Sequence, residues 1–353
     1  MSSEHASGMG DERVAVIIPN WNGAHLLRGC LDSLRRQTYR DFVVHVVDNG
    51  SRDGSLGMLA DEYPEVHVVP LPVNVGFASG VNAGIKASRA PLVVLLNNDT
   101  EVAVDWLAAL VSYMDMHPEF AFAASKILDF KHRDVIDCVA DGFSLLGIPF
   151  KVGSHERDLG QYDEPFEIFG ACGAASLYRR SMLDEIGLFD DDYFAYVEDV
   201  EISLRAQIAA YRGVAVTSAH VYHMGSASSG GEPSAFTVRL SVRNVWWTIF
   251  KCLPPALLWR VVPMALAAQA ALMLRATIFG EYPWLRRNRG AFILGQWDAL
   301  RSLGSAVRKR RTVVRRIDAA ELRRRMQAGS EQQRSSRQRL RLQQAAQAGS
   351  GTK

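Results

Sequence analysis

The chain has 353 residues, of which 48% are hydrophobic and 22% charged. This composition is typical of a globular protein and excludes a disordered or fibrous chain. At this length we expect one large domain with an appendage, or two modest domains. The four cysteines form no CxxC pair and no zinc spacing, so we expect buried, unreactive thiols in a reducing cytoplasm. No signal peptide is expected, since no basic segment followed by an apolar run stands near the start.

The net charge of +2 conceals a strong asymmetry between two parts of the chain. Residues 1–285 hold 22 Lys and Arg against 34 Asp and Glu, whereas residues 286–353 hold 18 against 4. A basic segment of this kind favours an anionic partner, either phospholipid headgroups or nucleic acid. Beyond about residue 330 we favour the alternative of a solvated, disordered tail.

Residues 1–12 are polar and are expected to be disordered. From residue 13 onward short apolar runs alternate with helical patterns. Four runs are predicted to be buried strands, namely residues 14–18, 42–47, 66–70 and 91–96. Helical spacing follows the first run, and residues 77–87 are predicted to form a further helix. This alternation predicts a parallel sheet with helices on both faces, in which ligands bind beyond the carboxyl ends of the strands.

A second block spans residues 165–224. Residues 169–178 are rich in small and apolar side chains and are predicted to form a strand beside a ligand. Residues 181–187 are predicted to form a short helix, and residues 193–210 an acidic cluster that leads into an amphipathic helix.

Several motifs occur in an order that resembles one enzyme family. They are VAVIIPNWNG, VVDNGSRDGS, NVGFASGVNAGI, LLNNDTEV, FGACGAASLYRRSMLDEIGLFDDDYFAYVEDVEISLRA and VYHMGSASSG. Together they resemble glycosyltransferase family 2 over about residues 13–252, and within it the rhamnosyltransferase-like branch that acts on lipid-linked glycans. The resemblance implies an α/β fold of the GT-A type, with a Rossmann-like, mostly parallel sheet flanked by helices. It also implies inverting transfer of a sugar from a nucleotide-diphosphate donor, with Mg²⁺ or Mn²⁺.

The polar residues after the first two strands are candidates for nucleotide binding. A carboxylate at Asp48 can accept hydrogen bonds from a ribose or a pyrimidine imide, and the resemblance assigns it to the nucleoside. The alternative is an aspartate that only caps its turn. Pro19 and Asn22 are expected to line the same pocket. Asn74 and Gly76 precede a helix of small residues, which either forms the floor under the donor or packs tightly on the sheet.

The triplet Asn97, Asn98 and Asp99 stands where the resemblance places the metal-binding DxD motif. A divalent cation there offsets the negative charge of a departing diphosphate. Because Asn97 replaces the first aspartate, Asp99 is the only anionic ligand of the triplet, and weaker metal affinity follows. The resemblance also places a histidine near the metal, and His223 fits it better than His220. Ser226 and Ser228 are further candidates for phosphate contacts.

Glu198 and Asp199 are predicted to begin a helix, where the helix dipole favours negative charge. The second acid of this pair is the general base in the family, so the resemblance assigns that role to Asp199, with Glu198 assisting. The alternative is two acids that only favour a helix N-terminus. Cys172 lacks a base nearby in sequence and is interpreted as a packing residue.

The C-terminal third is predicted to contact a membrane. Its longest uncharged stretch is 14 residues, between Arg260 and Arg275, which is short of the roughly 20 needed to span a bilayer. Flanking tryptophans and arginines favour a helix or hairpin in the headgroup region, and a buried helix at a dimer interface is the alternative. The predicted domains are therefore a glycosyltransferase domain at 13–235, a helical, amphipathic, membrane-associated extension at 236–316 and a basic flexible tail at 317–353.

The functional prediction is an inverting glycosyltransferase at the cytoplasmic face of the plasma membrane, peripherally bound, in cell-envelope polysaccharide synthesis. The expected partners are a sugar nucleotide such as dTDP-rhamnose, a polyprenyl-diphosphate-linked saccharide and anionic lipid. No specific nucleic acid is expected, and a homo-oligomer is left open. The alternatives are a degenerate binding or scaffold protein, and a nucleotidyltransferase on a similar fold. The pair at 198–199 and the lack of an N-terminal glycine-rich loop argue against the nucleotidyltransferase.

Overall fold

A computed structural model describes residues 12–225 and 233–350, the last five of them by backbone alone. The expectations for residues 1–11, Ser226 and Ser228 therefore fall outside the described residues. The first part of the chain contains β1 (Val14–Asn20), α1 (Ala24–Arg35), β2 (Phe42–Asp48), α2 (Ser55–Glu62), β3 (His67–Pro70), α3 (Phe77–Ala87) and β4 (Leu92–Leu96). These elements confirm the predicted alternation of strands and helices.

The middle of the chain completes the sheet. It contains β5 (Thr100–Val102), α4 (Trp106–Met116), β6 (Phe122–Asp129), β7 (Ile136–Cys138), β8 (Ala140–Phe143), β9 (Pro149–Val152), β10 (Phe166–Ile168), β11 (Ala175–Arg179), α5 (Arg180–Ile186), α6 (Glu198–Ile208) and β12 (Gly213–His223). The strand predicted over residues 169–178 is only β11, because the chain runs as a loop through residues 169–174 before it enters the sheet. That loop brings backbone N–H groups toward α6.

The central sheet has the order β10-β12-β6-β11-β4-β1-β2-β3, with β5 paired to β12 and β7 to β6. Strands β4, β1, β2 and β3 are parallel, as predicted. Beyond them β11 inserts antiparallel between β4 and β6, so the second half of the sheet is mixed. β1 and β4 are buried almost throughout, which is why both read as continuous apolar runs. The expected α/β architecture is thus confirmed, and β8 and β9 form a separate hairpin.

The C-terminal part is helical and consists of α7 (Ala235–Cys252), α8 (Pro255–Ile278), α9 (Pro283–Arg287), α10 (Arg289–Lys309) and α11 (Ala319–Ser350). Its helices share a hydrophobic core with α6, in which Val200 and Leu204 pack with Trp247, Leu253 and Leu257. Among the described residues, α8 alone is long and apolar enough to cross a bilayer by length and composition. Its most apolar window has a mean hydropathy of 1.6 and is 17% buried.

The prediction of a flexible tail at 317–353 is wrong for residues 319–350, which form α11. Leu322 and Met326 are buried in the core that α6 shares with the extension. Farther along, the Ser336 hydroxyl accepts a hydrogen bond from the Gly153 backbone at 2.9 Å, and Arg339 pairs with Glu156 at 3.1 Å. The helix therefore lies against the β8–β9 hairpin and the segment after it, held more by polar contacts than by an apolar stripe.

Candidate functional site

A cavity of about 440 Å³ opens at the carboxyl ends of β1, β2 and β4. Six of the predicted site residues line it, namely Pro19, Asn74, Gly76, Asn97, Asn98 and Asp99. The other lining residues are Asn20, Trp21, Asn49, Phe77, Phe194, Ala195, Tyr196, Ser234 and Phe236. The structure thus brings three separate motifs of the sequence to one opening, where the parallel part of the sheet places ligands.

Asp48 and Asn22 lie beside the cavity and do not line it. The Asp48 carboxylate is buried and accepts a hydrogen bond from the backbone N–H of Ser51 at 3.1 Å. The Asn22 side chain accepts one from the backbone N–H of Arg52 at 2.7 Å. Both residues therefore join the loops after β1 and β2. Asn49, which the sequence did not single out, holds the 74–76 segment by donating to the Gly76 carbonyl at 3.0 Å.

The loops around the cavity are packed so closely that two glycines cannot be replaced without displacement. A Cβ at Gly23 would lie 2.3 Å from the Asn98 amide nitrogen, which donates to the Asn20 side chain at 2.7 Å. Gly76 has φ of +89°, and a Cβ there would lie 2.5 Å from the Phe194 carbonyl oxygen. Gly76, in the segment predicted to lie under the donor, thus permits the backbone of residues 74–76 to approach the backbone of Phe194 at the cavity.

Asp99 and His223 lie together at the cavity wall, although 124 positions separate them in the sequence. The His223 Nε2 atom is 3.3 Å from the Asp99 carboxylate, and its Nδ1 atom is 2.8 Å from Asp137. Asp137 in turn pairs with Lys151 at 2.9 Å. Burial lowers the pKa of His223, but the two carboxylates outweigh this effect and raise the pKa to about 10. The imidazolium therefore holds a positive charge between two carboxylates.

This donor set fits a divalent cation. A carboxylate oxygen and an imidazole nitrogen face each other beside the cavity, and the second ring nitrogen is oriented by a carboxylate, as in many metal-bound histidines. A cation bound at Nε2 would displace the proton that now carries the positive charge. Asn97, in the place of the first DxD aspartate, lines the same cavity and adds no charge. Asp99 and His223 are the residues that would hold the ion.

Glu198 and Asp199 stand in the first turn of α6, as the sequence predicts. The Asp199 carboxylate accepts hydrogen bonds from the backbone N–H groups of Gly173 at 3.0 Å and Val200 at 2.8 Å. Glu198 is buried, and its Oε2 atom has no hydrogen-bond partner among the described residues. Burial and the adjacent Asp199 charge raise the pKa of Glu198 well above its usual range. These surroundings favour the protonated form of Glu198 beside the Asp199 carboxylate.

The segment that leads into α6 adopts an unusual backbone conformation. Phe194, Tyr196 and Val197 have φ of +64°, +72° and +70°, a region that side chains rarely occupy and that β-branched residues avoid most. The buried Asn244 side chain of α7 stabilises this conformation by donating to the carbonyls of residues 193, 195 and 196 at 3.1, 2.9 and 2.7 Å. Backbone strain of this kind is frequent at functional sites.

Sequence reasoning missed four residues of this region, namely Asp137, Asp141, Lys151 and Asn244. None of them belongs to a motif with a recognisable spacing, and Asp137 lies 86 positions from the histidine it orients. The register of the β8–β9 hairpin places Lys151 opposite Asp141. The packing of α7 brings Asn244 to the site.

Comparisons with known proteins agree with this geometry. Residues 15–187 match the family model for glycosyl transferase family 2. The chain is 28% identical to an N-acetylglucosaminyl-diphospho-decaprenol L-rhamnosyltransferase from Mycobacterium tuberculosis. The alignment covers 76% of this chain and 92% of that relative.

Two solved structures share the fold. The mannosyltransferase PcManGT from Pyrobaculum calidifontis, in complex with GDP-Man and Mn²⁺, aligns with a TM-score of 0.52 at 18% identity, over 82% of this chain and 87% of its own. The first 349 residues of TarS from S. aureus align with a TM-score of 0.52 at 17% identity, over 90% and 91%. The match to the family model identifies residues 15–187 as a glycosyl transferase family 2 domain.

Proposed function

We propose that the protein is a metal-dependent inverting glycosyltransferase that moves a sugar of the rhamnose type from a nucleotide diphosphate to a polyprenyl-diphosphate-linked saccharide. The observation that carries the proposal is one cavity bordered by the Asp99–His223 pair and by the segment that leads into Asp199. The acceptor class follows the M. tuberculosis relative, whose name specifies a decaprenol-linked substrate.

The roles of the residues follow from their surroundings. Asp199, fixed by two backbone N–H groups, accepts the proton of the attacking hydroxyl as the bond to the anomeric carbon forms. Glu198, whose protonated form is favoured by burial and whose Oε2 atom has no partner among the described residues, donates a hydrogen bond that orients the acceptor or Asp199. Asp99 and His223 would hold Mg²⁺ or Mn²⁺, which would supply charge stabilisation for the departing diphosphate. Asn20 and Asn98 line the cavity where the nucleotide would lie, and Asn49 orders the 74–76 segment of its wall.

Transfer assays with purified protein test this assignment. A panel of dTDP-rhamnose, UDP-N-acetylglucosamine and GDP-mannose is incubated with Mg²⁺, Mn²⁺ or EDTA and a lipid-linked acceptor. Asp199→Asn is expected to reduce kcat by about 10²–10⁴-fold while donor binding persists. The matched control is Asp105→Asn, which changes an exposed acid at the start of α4 that makes no capping hydrogen bond. Equal activity of Asp199→Asn and wild type would reject Asp199 as the base. If no donor is consumed or bound, the scaffold alternative is favoured.

We further propose that α8 and α10 lie in the headgroup region at the cytoplasmic face of the membrane. Their outward side exposes large apolar side chains, including Trp259 at 85% and Ile278 at 65% on α8, and Trp297 at 51% on α10. Arg286 in α9 and Arg289 at the start of α10 add positive charge beside this side, which favours anionic lipid. Both ends of α8 also pack on the protein, through Leu257 and Ala276 in separate cores, so a spanning position would draw these cores into the bilayer.

Vesicle flotation tests the membrane proposal. Trp259→Ala combined with Trp297→Ala is expected to reduce binding to anionic vesicles, because it removes two interfacial aromatic side chains. Leu159→Ala is the matched control, since Leu159 is 70% exposed and belongs to neither helix. Undiminished binding of the double variant would contradict the proposed face. Resistance of the wild type to extraction by carbonate would favour a spanning helix instead.

A further inference from the structure

Three potential metal ligands converge beneath the candidate active site, outside the Asp99–His223 pair. Cys138 ends β7, Asp141 stands in β8, and Cys172 lies in the loop before β11. One ligand atom of each residue lies within 4.8 Å of those of the other two, and all three side chains are buried. The Cys138 sulfur is 3.3 Å from the Asp141 carboxylate. The mechanism proposed above uses none of these residues.

The backbone holds this cluster together without any ligand. The Asp141 N–H donates to the Gly170 carbonyl at 2.9 Å, which joins β8 to the loop that carries Cys172. The contact is close, since a Cβ at Gly170 would lie 3.2 Å from the Asp141 carbonyl oxygen. This hydrogen bond fixes the loop that carries Cys172 against the hairpin that carries Asp141, so the backbone positions of the donors are set before any ion binds.

The surroundings favour ionisation of the Cys172 thiol, whereas burial raises the pKa of the Cys138 thiol well above its usual range. A hydrogen bond with Cys138 lowers the pKa of the Cys172 thiol to about 7, and Lys151 lowers it further in the same direction. Lys151 stands opposite Asp141 in the β8–β9 hairpin, so a cationic side chain is adjacent to the donors. Thiolates are the form in which cysteine binds metal.

We propose that Cys138, Asp141 and Cys172 form a site for a soft divalent cation of the Zn²⁺ class. Two thiolates and a carboxylate suit Zn²⁺, with Zn–S distances of about 2.3 Å, whereas Mg²⁺ prefers oxygen ligands alone. Three protein ligands leave the fourth tetrahedral position to water. Binding releases the protons that the thiols still hold. The site differs from the Asp99–His223 pair in ligand chemistry and in position.

An ion at this site would change the environment of Asp199. Gly173, the residue after Cys172, donates its N–H to the Asp199 carboxylate at 3.0 Å, and the charge of Asp199 acts on Cys172 and Asp141. A dication here would stabilise ionised Asp199 and make it a weaker base. We therefore expect Zn²⁺ to inhibit sugar transfer even when Mg²⁺ is saturating, and this expectation rests on the proposed function.

Cobalt binding tests the site independently of activity. Co²⁺ is added to the reduced, metal-free protein, and thiolate-to-cobalt charge-transfer absorption is recorded. We expect one equivalent to produce this absorption in the wild type, Zn²⁺ to displace it, and Cys138→Ser or Cys172→Ser to abolish it. Asp141→Asn, which leaves both thiols in place, is expected to weaken binding. Cys252→Ser serves as the matched control, since Cys252 is also a buried free cysteine but lies outside the cluster. Asp99→Asn is expected to retain the absorption.

Several outcomes would overturn the proposal. The wild type could show no charge-transfer absorption, or the absorption could persist in both cluster variants. If the metal-free protein has a mass lower by two hydrogens and binds no Co²⁺ after reduction, Cys138 and Cys172 are a disulfide-forming pair instead of metal ligands. If Co²⁺ binds as expected but Zn²⁺ does not inhibit transfer, the site stands and only its link to Asp199 fails. If neither the wild type nor any variant transfers sugar, the proposed function fails, but the spectroscopic result for the Zn²⁺ site is unaffected.

Discussion

Replacing Asn244 with alanine removes the amide that holds residues 193–196 in their unusual conformation. The carbonyls of residues 195 and 196 lose this donor in a region that is buried, since Asn244 itself is fully inaccessible, whereas the Tyr193 carbonyl keeps a hydrogen bond from Arg243 at 2.9 Å. A buried polar group left without a partner costs about 1–3 kcal/mol. Because water can enter the space left by the amide, we expect the free energy of unfolding to fall by about 2–4 kcal/mol in total.

The same change is expected to affect catalysis more than donor binding. The positive φ angles of Phe194, Tyr196 and Val197 each store about 1–3 kcal/mol of strain, which is comparable with the stabilisation that Asn244 supplies. Once the amide is lost the segment can relax, and the start of α6 moves with it. A displacement of about 1 Å at a reacting group costs about 10²-fold in rate, so kcat should fall by that order. Asn244→Asp should act in the same direction, because it places an acceptor against three acceptors.

Two measurements and one control decide this prediction. Transfer kinetics give kcat and the KM for the donor, and urea denaturation gives the free energy of unfolding. Gln37→Ala is the matched control: Gln37 is also fully buried, and its amide donates to the Ala103 carbonyl at 2.7 Å, but it does not line the cavity. We expect both variants to lose stability and only the Asn244 variant to lose kcat. An unchanged kcat in Asn244→Ala, or an equal loss in both variants, would refute the reasoning.

Three further predictions follow from the packing. Burial raises the pKa of Asp190, but Lys251 and Lys309 lower it by more, so the net pKa of this carboxyl is depressed in the folded protein. The ionised carboxylate therefore stabilises the fold above about pH 4, and this stabilisation is lost as the pH falls through the folded-state pKa. Circular dichroism during acid titration should therefore show a shallower loss of stability for Asp190→Asn. Gly76→Ala should destabilise the fold by about 1–3 kcal/mol and reduce donor binding, measured by denaturation and calorimetry. Deleting residues 319–353 should lower Tm in differential scanning calorimetry, because it removes Leu322 and Met326 and exposes the core side chains that they cover; an unchanged Tm would contradict the packing of α11.

The parallel half of the sheet was predictable from sequence because each of its inner strands is buried on both faces. β1 and β4 therefore appear as unbroken apolar runs, and their ends were located within a few residues. α11 was not predictable by the same reasoning. Its buried residues Leu322 and Met326 are followed by contacts through Ser336 and Arg339, so no continuous apolar stripe distinguishes it from a solvated charged segment.

The candidate site was predictable only where a motif follows a strand. Asp99 stands directly after β4, and the sheet topology brings it to the cavity. Asp48 is the last residue of β2, but the turn at Ser51 uses its carboxylate internally, and sequence cannot separate these two outcomes. Asp137 and Asn244 act through contacts between distant segments, which a single sequence does not encode as a pattern.

The core that α6 shares with α7 and α11 makes the C-terminal third part of the catalytic domain's own folding unit. Tyr193, Val197 and Leu204 are buried against side chains of the extension, so separating the two parts would expose the helix that carries Asp199. The extension is therefore not an interchangeable anchor: joining the family-matched residues 15–187 to another protein would omit both the proposed base and the helix that supports it. Release from the proposed membrane surface would therefore require α6 to move together with the extension, because the two share one core.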